Sequence, residues 1–307
     1  MILVGSTGFV GSNLLLNGKF DAAYHSTDVD NSYGSRPDIL VYAGVTGTKF
    51  WANSNPDKDK DVIEKAKKNI MKIAPSHLVL ISSVDVNERL DSDENYEIKE
   101  SQFGAYGNNR LELEKWVQGN FAKYNIIRLP AIYGQNLKKN FVHDLISPIP
   151  PMLSKDLYEY VIQEIPLIVN EYELKADGYY HYLERDDNRN ELTQLFGKSD
   201  FNALSFTNPQ NYYQYYNLEW LWEDINTILY NDIKLINLVT EPIGAEELYY
   251  KVYKTKKCYK CRTSKSVKYD LKTQYSGLFS GNNGYIYSKE KVLQDLIKFI
   301  ENQRKIG

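Results

Sequence analysis

A tyrosine and an arginine stand one helical turn apart in the segment AYGNNRLELEK, residues 105–115, at Tyr106 and Arg110. A nearby cation stabilises phenolate and lowers a tyrosine pKa from its ordinary value of about 10, which suits proton transfer. Arginine is permanently charged, so Arg110 can supply this field and hydrogen-bond a ribose hydroxyl, but it cannot release a proton into a relay. The alternative is an ordinary exposed helix pair without chemistry.

Three glycines, Gly5, Gly8 and Gly11, follow an apolar strand that starts at residue 2 and lead into a helical pattern. In this strand-to-helix context, G-x-x-G-x-x-G predicts a turn whose backbone N–H groups approach the pyrophosphate of a dinucleotide at a helix N terminus. The alternative is a glycine turn that serves packing alone. The sequence therefore predicts a nicotinamide dinucleotide as cofactor.

The second strand, AAYHST, ends on His25, Ser26 and Thr27, with Asp28 just beyond it. A carboxylate at this place bonds the adenosine ribose of NAD, although Asp28 fits a turn residue equally well. Ser26 and Thr27 would tolerate the 2′-phosphate of NADP, but no arginine stands beside them. The choice between NAD and NADP stays open. The link to the next strand is too short for another helix and strand, which predicts an abbreviated βαβ unit.

Apolar, β-branched runs alternate with helical patterns through residues 1–134. This alternation predicts an α/β fold, a Rossmann-type doubly wound parallel sheet that binds the dinucleotide. Beyond residue 134 the chain becomes rich in tyrosine and proline. We expect residues 135–307 to form a smaller, mixed, mainly substrate-binding part, with segments around 207–240 returning to the sheet.

The bulk composition excludes several classes of function. The 307 residues carry a net charge of −3, so no overall basic field recruits nucleic acid or a lipid surface. No basic leader precedes the first glycines and no apolar run spans a bilayer, so the sequence predicts a cytoplasmic protein without membrane contact. Cys258 and Cys261 form a lone C-x-x-C among scattered histidines, and we expect two unpaired thiols on a polar hairpin and no metal site.

Four segments occur in an order that resembles the extended short-chain dehydrogenase/reductases, the NAD(P)-dependent epimerase/dehydratase family: VGSTGFVGSN, LVLISSVDV, YGNNR and RLPAIYG. The resemblance covers residues 1–145 well and the remainder loosely. Members of this family act mostly on nucleotide-linked sugars through a serine or threonine, a Y-x-x-x-K pair and the cofactor. Here the hydroxyl maps to Ser83 and the tyrosine to Tyr106, while Arg110 takes the lysine position, which makes the chain an atypical member.

The resemblance implies three sets of site residues. The catalytic set is Ser83, Tyr106 and Arg110. The set that binds the cofactor is Gly5, Thr7, Gly8, Phe9, Val10, Gly11, Ser26, Asp28, Ala43, Gly44, Tyr106, Arg110 and Pro130. The set that contacts the substrate is Ser83, Asp85, Asn140 and Gln214.

Two departures from the family pattern bear on function. Val84 and Asp85 stand where dehydratases carry an Asp-Glu pair, so the elimination machinery is incomplete, and Asp85 is either an acid–base group or a solvated carboxylate. The arginine that family members place on the substrate diphosphate is missing near Tyr213 and Gln214. We expect hydride transfer at a carbinol or keto carbon of a sugar-like, nucleotide-linked substrate, in a chain compatible with a homodimer. The alternative is a dinucleotide-binding module without turnover, a pseudoenzyme or sensor.

Overall fold

The computed structural model describes residues 1–185, 187–255 and 257–306. The chain divides into two compact units, each built from three segments. The first unit consists of Met1–Asn136, Gln214–Pro242 and Tyr269–Val292, and the second of Leu137–Tyr213, Ile243–Lys268 and Leu293–Gly307. Among the described residues, none of the helices combines the length and apolar character that crossing a bilayer requires.

The strands of the described chain are mostly short. They are β1 Ile2–Val4, β2 Ala22–Tyr24, β3 Ile39–Tyr42, β4 His77–Ser83, β5 Tyr124–Leu129, β6 Ala131–Tyr133, β7 Met152–Leu153, β8 Tyr172–Leu174, β9 Tyr180–Tyr182, β10 Tyr212–Tyr213, β11 Tyr215–Asn217, β12 Leu235–Asn237 and β13 Ile243–Gly244.

The described chain also contains α-helices and several short 3-10 helices. The α-helices are α1 Phe9–Asn17, α2 Lys49–Ser54, α3 Pro56–Ile73, α4 Ala105–Asn120, α5 Phe141–Ile146, α6 Lys155–Glu164, α7 Arg189–Lys198, α8 Leu221–Tyr230, α9 Ala245–Tyr253 and α10 Lys289–Ile306.

A six-stranded sheet forms the centre of the first unit, in the spatial order β12-β5-β4-β3-β1-β2. All neighbouring strands in it run parallel. Side chains alternate between the two faces, as the strand period of two requires. Leu3 packs on the face that α1 and α8 cover, and Ile2 and Val4 pack on the face that α3 and α4 cover. The predicted Rossmann-type, doubly wound fold is confirmed.

The link between β2 and β3 contains the 3-10 turn Val29–Ser32 and no α-helix or further strand, and β2 lies at the edge of the sheet. This confirms the predicted abbreviated unit. Helix α3 follows from its local sequence: Pro56 occupies the first turn, where its missing N–H is harmless, and Asp57 and Asp59 lie at the positive end of the helix dipole. Ala74 ends the helix in a left-handed conformation with φ 56°.

The second unit has its own sheet and core. Strands β7, β9 and β8 form a three-stranded antiparallel sheet. Its apolar residues, with those of α6 and α7, make a separate cluster that includes Leu153, Val161 and Phe196. Strands β10 and β13 pair antiparallel beside α9.

Candidate active site

Most of the predicted site residues follow the carboxyl ends of parallel strands in the first unit. The glycine turn follows β1, Ser26 and Asp28 follow β2, Ala43 and Gly44 follow β3, Ser83 ends β4 and Pro130 follows β5. Parallel strands bring these ends to one edge of the sheet, where open α/β sheets bind their ligands. The site is thus assembled from five loops that are distant in sequence.

The glycine turn between β1 and α1 fits a dinucleotide pyrophosphate. A Cβ on Gly5 would lie 2.4 Å from the Ala43 carbonyl oxygen, and one on Gly11 would lie 2.0 Å from the Gly5 oxygen, so both positions exclude any larger residue. A Cβ on Gly8 would meet only the Gly5 oxygen, at 3.3 Å. Packing therefore explains Gly5 and Gly11, whereas the exposed Gly8 keeps open the space in front of the helix.

The N terminus of α1 is the second element of this cradle. Gly8 is its N-cap residue, and within the described chain no side chain caps it. Thr7 is exposed, while Phe9 and Val10 are half-buried in the first turn. Uncapped N–H groups and the positive end of the helix dipole favour an anion at this position. These residues fit the phosphates of a dinucleotide.

Asp28 closes the turn after β2. One of its carboxylate oxygens accepts a hydrogen bond of 2.6 Å from the His25 backbone N–H, and the other lies 3.2 Å from the His25 ring nitrogen Nε2. Of the two alternatives for Asp28, a ribose ligand or a turn residue, this geometry is typical of a turn residue. Ser26 is exposed beside it, and a role of Ser26 or Asp28 in binding the adenosine ribose stays a prediction.

Ser83 and Tyr106 meet through their side chains. Ser83 is the last residue of β4 and Tyr106 lies in the first turn of α4. The Ser83 hydroxyl lies close enough to the Tyr106 phenol to lower its pKa, and the Ser83 oxygen accepts from the Asp85 backbone N–H at 3.1 Å. Asn53 holds the start of α4, because its Oδ1 accepts from the Tyr106 backbone N–H at 2.9 Å. Two hydroxyls from different elements therefore lie near each other, and their catalytic role stays a prediction.

Arg110 is buried and held by protein groups. Its Nη1 and Nη2 donate to the two carboxylate oxygens of Asp59 at 2.8 and 3.0 Å. The same two nitrogens donate to the carbonyl oxygens of Tyr106 and Thr46. Four of the five guanidinium N–H groups are thus used, which leaves Nε–H for other partners. The predicted bond from Arg110 to a cofactor ribose stays a prediction, and Asp59 is its main competitor.

The Arg110 cation lowers the pKa of Tyr106, as expected, but the net pKa of this hydroxyl is raised. Burial raises the pKa of the Tyr106 hydroxyl, and the nearby Asp85 carboxylate raises it further. The Arg110 cation and the Ser83 hydroxyl lower it, but by less than burial and Asp85 together raise it. The net pKa therefore lies above the ordinary value, because a side chain that is only 8% exposed loses the water that would solvate phenolate.

A second polar cluster adjoins this pair and was not predicted. The Lys49 ammonium lies 2.9 Å from one oxygen of Asp85, and the Tyr269 hydroxyl donates to the other at 2.7 Å. Lys49 also lies 3.4 Å above the centre of the Phe103 ring, which stacks on Tyr269. Asp85 is therefore a paired carboxylate and not a solvated one. Lys49 follows β3 in the sequence, and a lysine at this position does not by itself predict a contact with Asp85.

Two of the predicted substrate residues have structural bonds of their own. Gln214 is buried, its amide donates to the carbonyl oxygens of Thr240 and Leu271, and its Oε1 accepts from the Leu271 N–H. This geometry does not support the predicted contact of Gln214 with substrate, because its polar atoms already bind backbone. Asn140, in the second unit, caps α5 by accepting from the N–H groups of Val142 and His143, and its substrate role stays a prediction.

The two cysteines are free thiols in the second unit. Burial raises the pKa of the Cys258 thiol, and the Glu246 carboxylate raises it further, which opposes formation of a reactive thiolate. In the described ranges, no group of three histidine, cysteine or acidic side chains has the arrangement to hold a metal ion.

The parallel sheet with its glycine turn and helices on both faces places the chain in the class of Rossmann-type α/β proteins. The sequence model for the RmlD substrate binding domain matches residues 1–149. No curated protein sequence matches the chain.

Solved structures match the chain over nearly its whole length at low sequence identity. One is the dTDP-4-dehydrorhamnose reductase from Bacillus anthracis in complex with NADP, with a TM-score of 0.63, 15% identity, and coverage of 98% of this chain and 97% of that one. The UDP-glucose 4-epimerase from Thermotoga maritima with UDP-glucose has a TM-score of 0.62, 11% identity, and coverage of 99% and 98%. RMD from Pseudomonas aeruginosa complexed with NADPH has a TM-score of 0.62, 11% identity, and coverage of 100% and 99%. These likenesses concern the fold.

Proposed function

We propose that the protein is an NAD(P)-dependent oxidoreductase of the extended short-chain dehydrogenase/reductase type, acting on a keto or carbinol carbon of a nucleotide-linked sugar. The observation that carries the proposal is the proximity of the Ser83 and Tyr106 hydroxyls at the carboxyl edge of a sheet that also bears the glycine turn. A phenol and a second hydroxyl can together bind one substrate oxygen and exchange a proton with it.

Each residue has a distinct role in this proposal. Gly5, Gly8 and Gly11 bring the backbone of the turn close to the pyrophosphate, and the uncapped start of α1 stabilises its charge. When bound, the nicotinamide supplies or accepts the hydride. Ser83 orients the reacting oxygen and Tyr106 transfers the proton.

The comparisons support the class of substrate. The match to the RmlD substrate binding domain covers the segment that contains the glycine turn, Ser83 and Tyr106. Solved proteins of the same fold include a reductase named for a dTDP-linked sugar and an epimerase named for UDP-glucose, and two of the three reported structures were solved with NADP or NADPH. The choice between NAD and NADP for this chain stays open. Asp28 would favour the ribose of NAD, whereas Ser26 and Thr27 would tolerate the 2′-phosphate of NADP.

A direct test is a turnover screen with both reduced cofactors. Keto sugars linked to dTDP or UDP, and the same keto sugars without the nucleotide, are offered to the protein while loss of nicotinamide absorbance is recorded. We expect consumption with at least one nucleotide-linked keto sugar and little with the free sugar. Tyr106→Phe serves as the inactive control.

Cofactor binding is measured in parallel by calorimetry, so that two kinds of failure are separated. If neither NADH nor NADPH binds, the dinucleotide assignment is wrong. If a cofactor binds but no member of the panel is reduced, the alternative of a non-catalytic dinucleotide-binding module is preferred. The occupation of Arg110 by Asp59 is the observation that favours this alternative.

A further inference from the structure

Asp59 and Arg110 form a buried ion pair that belongs to two different helices. Asp59 lies in the first turn of α3 and has no exposed surface, and Arg110 on α4 is 4% exposed. The carboxylate receives both guanidinium nitrogens and a further bond of 2.8 Å from the Asn109 amide. A bidentate contact of this kind fixes both the position and the orientation of the guanidinium plane.

This pair stands directly against Tyr106. The guanidinium carbon of Arg110 lies 3.8 Å from the centre of the Tyr106 ring. The charged groups that act on the Tyr106 hydroxyl are Arg110 from α4 and Asp85 after β4, and each has a partner of opposite sign, Asp59 and Lys49. Each charge near the phenol is therefore opposed by a partner, while Arg110 still lowers the Tyr106 pKa and burial raises it more.

We propose that Asp59 is a positioning residue that holds Arg110 on the Tyr106 ring and offsets part of its charge, so that Tyr106 remains a proton donor suited to reducing a keto group. The inference rests on the proposed oxidoreductase function and adds a direction to it. A lone cation would favour phenolate, the base that alcohol oxidation requires, whereas a compensated cation leaves the phenol protonated.

The chemical step balances in this direction. The carbonyl carbon accepts a hydride from the reduced dinucleotide, and the carbonyl π electrons pass to the oxygen. That oxygen takes the proton of the Tyr106 hydroxyl and becomes an alcohol, while Tyr106 is left as phenolate. Solvent then returns a proton to the phenolate, so a protonated Tyr106 at neutral pH is the form that begins each turnover.

The test is a titration of Tyr106 itself, which needs no substrate. Protein labelled at the tyrosine ζ carbon is followed by NMR against pH, and the Tyr106 signal is assigned by its loss in Tyr106→Phe. We expect the wild-type Tyr106 to titrate above the ordinary tyrosine value, since burial disfavours phenolate. In Asp59→Asn, the uncompensated Arg110 should lower the titration midpoint by roughly one to two pH units.

The matched control is Asp57→Asn, which removes the same charge from the exposed side of the same helical turn. Its Tyr106 midpoint should stay within about half a unit of wild type, because an exposed charge is screened by solvent. If Asp59→Asn is folded and its midpoint equals that of the control, Asp59 has a structural role alone and the proposal is wrong.

A second variant covers the case in which Asp59→Asn does not fold because Arg110 is left buried without a counter-charge. The double variant Asp59→Asn, Arg110→Met removes both charges. Because Arg110 still favours phenolate and Asp59 opposes it, loss of both groups should raise the Tyr106 midpoint by less than about one unit, and a rise of more than about one unit overturns the proposal. Because all these midpoints are measured without turnover, a failure here is distinct from a failure to find the substrate.

Discussion

Arg110 covers the face of the Tyr106 ring from one helical turn away, with its guanidinium carbon 3.8 Å from the ring centre. Asp59 fixes the position of the guanidinium, which donates two hydrogen bonds to the Asp59 carboxylate. Arg110 thus packs on one side of the Tyr106 ring, while the Ser83 hydroxyl lies near the Tyr106 hydroxyl. Single substitutions in the predicted site can therefore show which residues affect cofactor binding and which affect turnover.

Tyr106→Phe should abolish turnover and leave cofactor affinity almost unchanged. The phenol serves the transition state by giving or taking a proton, and loss of such a group typically slows a reaction by about 10²–10⁴-fold. The measurement is kcat with a substrate found in the screen, together with the cofactor Kd by calorimetry. A variant that turns over as fast as wild type would show that Tyr106 is not the acid–base group.

Gly8→Val should prevent dinucleotide binding while the fold remains intact. The side chain would enter the space in front of α1, whereas its Cβ meets protein only at the Gly5 oxygen, 3.3 Å away. Calorimetric titration with NADH and NADPH measures binding, and circular dichroism reports the fold. Gly119→Ala is the matched control, since no atom lies within 4 Å of a Cβ at that helical position. Full binding by Gly8→Val would remove the glycine turn from the cofactor site.

Glu114→Gln should destabilise the first unit by about 3–5 kcal/mol, because it leaves the buried Arg128 cation without its carboxylate. Glu114 on α4 binds Arg128 on β5 through bonds of 2.6 and 3.1 Å and accepts from the Ser82 hydroxyl on β4. The control Glu112→Gln breaks half-exposed contacts with Lys67 and Lys60 and should change stability by about 1 kcal/mol or less. Urea unfolding measures both variants, and equal losses would contradict the expected difference.

Asp224 should make the protein less stable as the pH rises from about 4 to about 6. Burial raises the pKa of this carboxyl to about 6, even though the Tyr216 and Tyr287 hydroxyls donate to it. The folded state therefore binds the proton more tightly than the unfolded chain does. The resulting stabilisation is fully present below the unfolded pKa near 4 and disappears as the pH passes the folded value.

The Asp224→Asn variant should lose this dependence, which amounts to on the order of 3 kcal/mol for a shift of about 2 units. Urea unfolding at several pH values between about 4 and 7 measures it, with the exposed Asp30→Asn as control. The raised pKa would be contradicted if the stability of the wild type rose steadily through this range and both variants showed the same rise.

Local patterns in the sequence were sufficient for the fold and for the centre of the site. The apolar runs that became β1, β3, β4 and β5 are each bounded by turn residues, and their alternation with helices allows little besides a parallel sheet. The glycine spacing after β1 predicted both the tight turn that the structure has and a role of this turn in binding a cofactor, because a tight turn and a close backbone approach impose their residue type locally. The hydroxyls of Ser83 and Tyr106 followed from their order in the family motifs.

Only the tertiary structure decided what surrounds Tyr106 and which polar side chains are already occupied. Asp59 is 51 positions from Arg110, and nothing distinguishes it in sequence from the exposed Asp57 two residues earlier. Whether such a carboxylate meets solvent or a guanidinium depends on how α3 packs on α4, which the spacing along either helix does not encode. The same holds for Gln214, whose amide is bound to the backbone of Thr240 and Leu271, and for the net effect of burial and charge on Tyr106. Electrostatic effects sum over all neighbours in space, so the sequence determined the chemical groups while the packing of distant segments determined their ionisation.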